Sequence, residues 1–362
     1  MVVAILSNDH AWTYNLRKEV IQGILNNGHR VVLLLSYGDK IDNLCEMGCE
    51  FIDVPYERHS TNPIKEINLC YHYYKHLKRI KPDIVLTYTI KPNIYGGIIC
   101  RLLKIPFIPN VTGLGPVIES KNKFQKFAIL LYKLALKKAK VIFFQNKENQ
   151  EFMYRHRMVS GNSCLLPGSG VNLNRFVPQQ YPPDDVVSFA FVGRVVKEKG
   201  IDQYLEAARV IREKYPNTVF NVCGFCENEY YKEKIDAMAN QGVIVYHGMV
   251  DDMSEIYSKI HCTVLPTFYP EGLSNVLLES LASGRPIITT DRAGCREVVD
   301  DGINGFVCKQ RDSADLIKQI EKFISLPYEV KMKMGLAGRA KIEKEYDRNI
   351  VVKAYLREIE SI

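Results

Sequence analysis

Short apolar runs alternate along this chain with longer stretches in which apolar positions recur every three or four residues, the two periods of buried strands and amphipathic helices. The runs at residues 2–6, 31–35, 51–54, 84–88, 107–110 and 141–145 predict strands. Residues 14–27, 64–80, 92–103 and 124–140 carry the helical period, the first closed by Gly28 and the second by the turn KPD. Strands that are apolar throughout and separated by helices predict a parallel sheet covered on both faces. The rhythm breaks over residues 167–185, where Pro167, Pro178, Pro182 and Pro183 leave no apolar period, and a domain boundary is expected there, between residues 180 and 181. It resumes with strands at 187–192, 218–222, 243–247, 262–265 and 287–290 and helices at 201–214 and 229–240. DDGINGFV, from Asp300, supplies a turn and a last strand, and the chain is helical from Ser313 onward. The expected class is α/β: two doubly wound, Rossmann-like domains (1–180 and 181–345), with ligands in a cleft at the carboxyl ends of the strands.

A length of 362 residues agrees with two cores. The most lipid-compatible stretch, FAILLYKLALKKA from Phe127, is cut by Lys133, so no membrane span is expected. Residues 1–6 lack the basic start and cleavage site of a signal peptide and read as a first strand, which implies a cytoplasmic chain. Ten scattered cysteines suit reduced thiols, and the lone CGFC of Cys223 and Cys226 has no second pair or histidine cluster to complete a zinc site. Charge is unevenly shared. Up to Gln180, 24 basic and 13 acidic residues leave +11; beyond it 24 and 28 leave −4, for a net +7. The basic half is expected to face something anionic. Residues 121–140 (KNKFQKFAILLYKLALKKAK) hold seven lysines and no acid around Phe124, Phe127, Leu130, Leu131 and Leu134. Such a helix either covers the sheet with solvated lysines or lies on an anionic leaflet; the charge of the first half favours peripheral membrane contact, and no nucleic acid partner is expected.

The chemistry concentrates in TFYPEGLSNVLLE, residues 267–279. A strand precedes it, Ser274 is positioned to cap a helix, and the backbone N–H groups of Gly272, Leu273, Ser274 and Asn275 then form an anion site. Glu279 lies inside an apolar helix, where a buried carboxylate needs partners. Glu271 is the other carboxylate. After the strand at 187–192, GRVVKEKG (193–200) offers Gly193 for a tight exit and Arg194 and Lys199, with Lys197 as a third cation, for a diphosphate. No GxxxxGK[ST] loop is present, and Gly113 and Gly115 in VTGLGPV lack the dinucleotide spacing. No Asp-x-Asp occurs, so no metal is expected, and phosphate charge falls to Arg, Lys and helix ends.

Taken together, GR, the lysine of EKG, two glutamates separated by seven residues, and TTDRAGCREVVDDGINGFV closely resemble the retaining glycosyltransferases of family four, whose fold is GT-B. TIKPNIYGG, NVTGLGPV, LYKLALKKAKVIFFQN and LPGSGVNLNRF resemble the branch that builds capsule, O-antigen and other undecaprenyl-linked glycans. The resemblance implies that Arg194 and Lys199 hold the donor diphosphate, assisted by the backbone of residues 272–275. It implies that Glu279 binds ribose, that Glu271 contacts the donor sugar near its reacting carbon, and that Gly193, Gly224, Val250 and Asp252 surround the nucleotide. Asp9, His10, Arg17, Thr112 and Gly113 would face the acceptor, and a closing helix at 346–362 would cross back to the first domain. Many relatives carry a histidine where this chain has Thr112 and Gly113, and the first-strand loop lacks their common glycine pair. The implied activity moves a sugar, an N-acetylhexosamine, from a UDP-linked donor to a polyprenyl-diphosphate-linked saccharide, with no further cofactor. A non-hydrolysing sugar-nucleotide epimerase and a non-catalytic subunit of a transferase pair are the alternatives.

Overall fold

The computed structural model describes residues 1–56, 62–115, 123–159 and 161–362. It divides into two compact units: Met1–Ser169 with Glu271–Leu273 and Arg348–Ile362, and Gly170–Pro270 with Ser274–Asp347. The division falls after Ser169 and not after residue 180, because the proline-bearing segment is built into the second unit. Val171 N donates to Tyr346 O at 2.9 Å, Arg339 donates to Phe176 O at 2.6 Å, and the buried Phe176 ring meets Tyr257 edge-on. The closing helix, Arg348–Glu360, belongs to the first unit.

The first unit is one parallel sheet of β1 (Val2–Leu6), β2 (Arg30–Leu35), β3 (Glu50–Asp53), β4 (Ile84–Tyr88), β5 (Phe107–Val111), β6 (Ile142–Phe144) and β7 (Ser163–Leu165). Its order is β3-β2-β1-β4-β5-β6-β7, with Ala4 opposite both Val32 and Val85. Successive side chains of β1 enter opposite cores, as the two-residue period requires. Val3 and Ile5 pack with Val20, Ile21 and Ile24 of helix His10–Asn26 and with Val351, Tyr355 and Ile359. Ala4 and Leu6 pack with Leu69, Tyr73, Leu77 and Tyr132 on the other face. The first helix starts at His10, four residues before the apolar period, because Asp9 caps it by accepting from Trp12 N at 2.8 Å. No described helix is long and apolar enough to cross a membrane.

The second unit is a parallel sheet of β8 (Val187–Val192), β9 (Thr218–Cys223), β10 (Val245–Gly248), β11 (Cys262–Leu265), β12 (Ile287–Thr290) and β13 (Gly305–Cys308). The order is β10-β9-β8-β11-β12-β13, so the direction of winding reverses between β8 and β11, and in the first unit between β1 and β4. Crossovers leave in opposite directions at such a point, and the carboxyl ends beside it are where open sheets of this kind bind ligands. Phe189 stacks on Phe220 at 5.1 Å under Tyr204 to fill the core. All ten cysteines are free thiols, and burial pushes Cys223 up to about 12.

A buried histidine makes this unit sensitive to acid. His261 Nδ1 accepts from Ser188 N at 3.1 Å, so its proton sits on Nε2, which donates to Pro183 O at 3.1 Å. The neutral ring is fully satisfied. Burial holds its pKa below the usual value; Asp184, 3.8 Å away, pulls the other way but is itself paired with the buried Lys331 at 2.9 Å. The unfolded chain takes up a proton near pH 6.5 that the folded site resists, so stability is full above that pH and declines below it. Thermal unfolding at pH 7.5 and 5.5 should show the decline, with a smaller slope for His261→Gln.

Candidate active site

In the second unit the carboxyl ends of β8, β9 and β10 are knitted together by glycines. Gly193 N donates to Cys223 O at 2.9 Å and Gly224 N to Gly248 O at 2.7 Å. Gly224 has φ of +139°, and a Cβ there would overlap Gly193 O. The chain then runs through Arg194 into the 3₁₀ turn Lys197–Lys199. That turn is locked to the loop after β11: Phe268 N and Thr267 Oγ1 both donate to Glu198 O, at 2.9 and 3.2 Å. A side chain at Gly200, φ +80°, would strike Pro266 O.

The lock brings Tyr269 beneath both expected cations. Arg194 Cζ and Lys199 Nζ each lie 5.4 Å from its ring centroid, within cation–π range. Arg194 donates to Glu227 Oε1 at 2.6 Å. Burial works against the guanidinium, but the bond and charge of Glu227 outweigh it and hold Arg194 above its ordinary pKa. Two cations held side by side by one ring and one carboxylate have the charge and donors that a diphosphate requires. Lys197 is exposed beside them.

Helix Asn275–Ala282 starts after Ser274, as expected, but the Ser274 hydroxyl does not cap it. Its backbone N–H is also engaged, donating to Gly294 O at 2.8 Å, which removes Ser274 from the expected set of anion donors. Asn275 Oδ1, by contrast, is a buried acceptor with no hydrogen-bond partner among the described residues. Glu279 is half-buried rather than buried, because one flank of the helix is open; the Tyr257 hydroxyl stands 3.5 Å from its Oε2. Asp252 is exposed and occupied structurally: it caps helix Met253–Lys259 through Ser254 N and lies 3.5 Å from Arg175. The Ser254 hydrogen bond, with Arg175 adding to it, holds its carboxyl below the usual range. Val250 lies half-buried just before it.

In the first unit, Glu271, Gly272 and Leu273 are gripped by the carboxyl ends of β5 and β6. Asn146 Nδ2 donates to Glu271 O at 3.1 Å and to Gly272 O at 2.5 Å. Gly272 lies so close to Thr112 O and Gln145 Oε1 that no Cβ fits. Behind them runs a buried polar chain: Thr87 Oγ1 to Asn93 Oδ1 (2.7 Å), Asn93 Nδ2 to Asn110 O (2.9 Å), Gln145 Nε2 to Asn110 Oδ1 (3.3 Å) and Asn110 Nδ2 to the Tyr355 hydroxyl (2.7 Å). Satisfied networks of this kind rigidify what they carry.

Of the residues expected at the acceptor, Thr112 and Gly113 (φ +143°) adjoin this triad. His10 stands 3.1 Å from Asp39, with its ring filling the space a side chain at Gly38 would need. Asp9 is a helix cap, and Arg17 is buried under the fold, donating to Ser169 Oγ at 2.9 Å with its guanidinium 4.6 Å from the Tyr88 ring centroid. In this structure Asp9 Oδ1 serves the helix cap and one Arg17 nitrogen serves Ser169.

Residues 3–146 match the family described as glycosyl transferase 4-like, and residues 175–341 the family described as glycosyl transferases group 1. The chain thus carries both domains of a glycosyltransferase. The glycosyltransferase is 26% identical to the N,N'-diacetylbacillosaminyl-diphospho-undecaprenol alpha-1,3-N-acetylgalactosaminyltransferase of Campylobacter jejuni, over 99% of this chain and 98% of that protein. It is 27% identical to the UDP-Gal:alpha-D-GlcNAc-diphosphoundecaprenol alpha-1,3-galactosyltransferase of Escherichia coli, over 71% and 70% of the two chains. Its fold is GT-B: the crystal structure of Anabaena Alr3699/HepE in complex with UDP and glucose superposes with a TM-score of 0.81 at 14% identity, covering 99% of each chain. The chain is thus a hexosyltransferase, and its relatives act on lipid-linked saccharides.

Three residues that hold the candidate site together escape a reading of the sequence: Tyr269, Glu227 and Asn146. Tyr269 had a signal, an aromatic pair shortly beyond the carboxyl end of a strand. Glu227 had none, and Asn146 stood only as the end of the motif LYKLALKKAKVIFFQN, because their partners stand 33 and 125 positions away.

Proposed function

We propose that this glycosyltransferase transfers a sugar of the N-acetylhexosamine class, with retention of anomeric configuration, from a UDP-linked donor to a saccharide carried on polyprenyl diphosphate. The observation that carries the reading is the Arg194 and Lys199 pair over Tyr269, a receptor for a nucleoside diphosphate. Relatives named for diphospho-undecaprenol acceptors, one for a UDP-linked sugar and one for N-acetylgalactosamine transfer, support the substrate classes. A lipid-linked acceptor places the work at the cytoplasmic face of a membrane.

In the reaction the anomeric C–O bond to the diphosphate breaks while the acceptor hydroxyl bonds the same face of the sugar. The hydroxyl's proton passes to the departing phosphate oxygen. Arg194 and Lys199 offset the charge that grows on that leaving group, which stabilises the transition state more than the ground state. Glu271 contacts the donor sugar, and Glu279 accepts from ribose hydroxyls beside Asn275 Oδ1, which has no partner among the described residues. With phosphate charge met by side chains and backbone, transfer proceeds without a divalent metal, and EDTA should leave its rate unchanged.

Release of UDP or GDP from a panel of nucleotide sugars, with and without a lipid-linked acceptor, tests the reading. Release that requires acceptor, with an α-linked product by NMR, supports it; an epimerised nucleotide sugar without acceptor would refute it, as would inertness with every donor. Glu279→Gln should raise the donor Kd by about tenfold, the scale of one charge-assisted hydrogen bond, and leave chemistry at saturating donor largely intact. Calorimetry measures the first and single-turnover kinetics the second. Loss of chemistry with unchanged donor binding would assign Glu279 a nucleophilic role instead.

A further inference from the structure

Three segments of the first unit meet around a half-open cavity of about 90 Å³: the chain just after β3, the first two turns of helix Pro63–Ile80 and the loop that leaves β4. All three follow the carboxyl end of β3 or β4, the side on which such sheets bind ligands. Tyr56 and Leu69 form apolar walls, while Lys65, Glu66 and Lys91 bring charge to the same space. There is room for about three waters at the share of volume each takes in the liquid, and so for one substituent of a sugar but not for a whole ring.

The charged groups are fixed in place. Lys91 Nζ donates to Glu66 Oε1 at 2.7 Å, and both side chains are largely buried, at 16% and 14% exposure. The same ammonium lies 5.5 Å from the Tyr56 ring centroid. Tyr95 stands close enough for the carboxylate, after burial, to push its hydroxyl up, yet Glu66 Oε2 is a buried atom with no hydrogen-bond partner among the described residues. A carboxylate oxygen withdrawn from water calls for an N–H or O–H donor.

The loop that carries Lys91 is strained as well as anchored. Thr89, a β-branched residue, sits at φ +70°, and a π-helical turn follows at Pro92–Gly96. Thr89 O accepts from Asn93 N at 3.0 Å, and Asn93 is tied in turn to Thr87 and to Asn110 O. Backbone strain of this kind persists where the surroundings over-determine it, and it clusters at ligand sites.

The lining chooses among guests. A diphosphate would set its own charge against Glu66 and bring no proton for Oε2. A metal ion would meet two lysines. A hydroxyl would reach Oε2 but leave the apolar walls bare. An acetamido group answers every wall: its N–H donates to Glu66 Oε2, its carbonyl oxygen accepts from Lys65 or Lys91, and its methyl group lies against Tyr56 and Leu69.

We propose that this pocket takes the acetamido group of the acceptor sugar and selects acetamido sugars over their hydroxyl counterparts. The selection rests on the reading of a saccharide acceptor, whose substituent it names.

The test compares the full chain with Glu66→Leu/Lys91→Met, which removes both charges at similar side-chain volume, a replacement that buried ion pairs tolerate. With short-chain polyprenyl-diphosphate-linked N-acetylglucosamine and glucose as acceptors, the parent should favour the acetamido sugar by about tenfold in kcat/KM, the scale of one hydrogen bond to a charged group. The variant should lose that preference. A merely structural pair would lower transfer to both acceptors alike and leave their ratio untouched. Saturation-transfer NMR with the methyl glycosides of the same two sugars reads the pocket without any lipid: the acetyl methyl should receive saturation from the parent and lose most of it in the variant. Equal use of the two acceptors by the parent, or a preference that survives in the variant, overturns the proposal and leaves the acceptor reading standing. Acetyl saturation that the variant loses, with no transfer to either lipid-linked sugar, keeps the pocket and removes polyprenyl diphosphate as the carrier. Neither transfer nor saturation in the parent overturns both.

Discussion

Arg194→Ala should lower kcat for transfer by about 10²–10³-fold, the loss typical of removing one preorganised donor from a developing negative charge, while the melting temperature barely moves. The second half follows from its surroundings: the Arg194–Glu227 pair is partly solvated, and such pairs contribute about 0–1 kcal/mol to stability. Arg194→Lys keeps the charge but gives up the planar fork that grips a phosphate and lies over Tyr269. It should therefore recover only part of the rate. Tyr269→Leu should weaken donor binding more mildly, because Glu227 still holds Arg194 while Lys199 loses its ring. Steady-state kinetics with the preferred donor, beside calorimetric melting of each variant, distinguish these outcomes. A rate unchanged in Arg194→Ala would remove the diphosphate receptor from the mechanism.

Gly224→Ala should do the reverse and act on stability first. The methyl group meets a carbonyl oxygen, Gly193 O, that is fixed by its own strand, and the backbone at φ +139° is one that L residues rarely adopt. Strain of about 1–3 kcal/mol for the conformation and a similar amount for the clash place the loss at roughly 2–6 kcal/mol. A unit of this size should then melt several degrees lower. Because the displaced group is the neighbour of Arg194, donor affinity should fall in the same variant. Gly242→Ala, at φ +70° with nothing within 4 Å, is the control: it carries left-handed strain without a clash and lies before the amino end of β10, not at the carboxyl ends.

The strands were legible because nearly all are buried on both faces and so are apolar throughout; β8, for example, has no exposed residue. Where a strand lies at an edge the signal fades. β7, half-exposed and only three residues long, leaves no run to find, and β10 alternates exposed and half-buried positions and starts two residues later than its apolar residues suggest. The domain boundary was misplaced for a different reason. Proline content marks where helices and strands stop, but not which core the intervening residues join, and Phe176 and Val171 join the second. In the site, residues adjacent in sequence were readable as a unit: Arg194 with Lys199, and the turn before Asn275. What was not readable is who shares whose hydrogen bonds. That Gly294 takes the Ser274 N–H, or that Asn146 grips Glu271, depends on strand order and loop path, which no local pattern encodes.

The closing helix gives the chain an order of assembly. Val351, Tyr355 and Ile359 are core residues of the first unit, and the Tyr355 hydroxyl completes the polar chain behind Gln145. Every residue of the second unit is therefore translated before the first unit has its last core element. During synthesis the unit begun first should finish last, waiting half-covered, with Phe143 lacking the edge-on contact of Tyr355, until residue 359 has emerged.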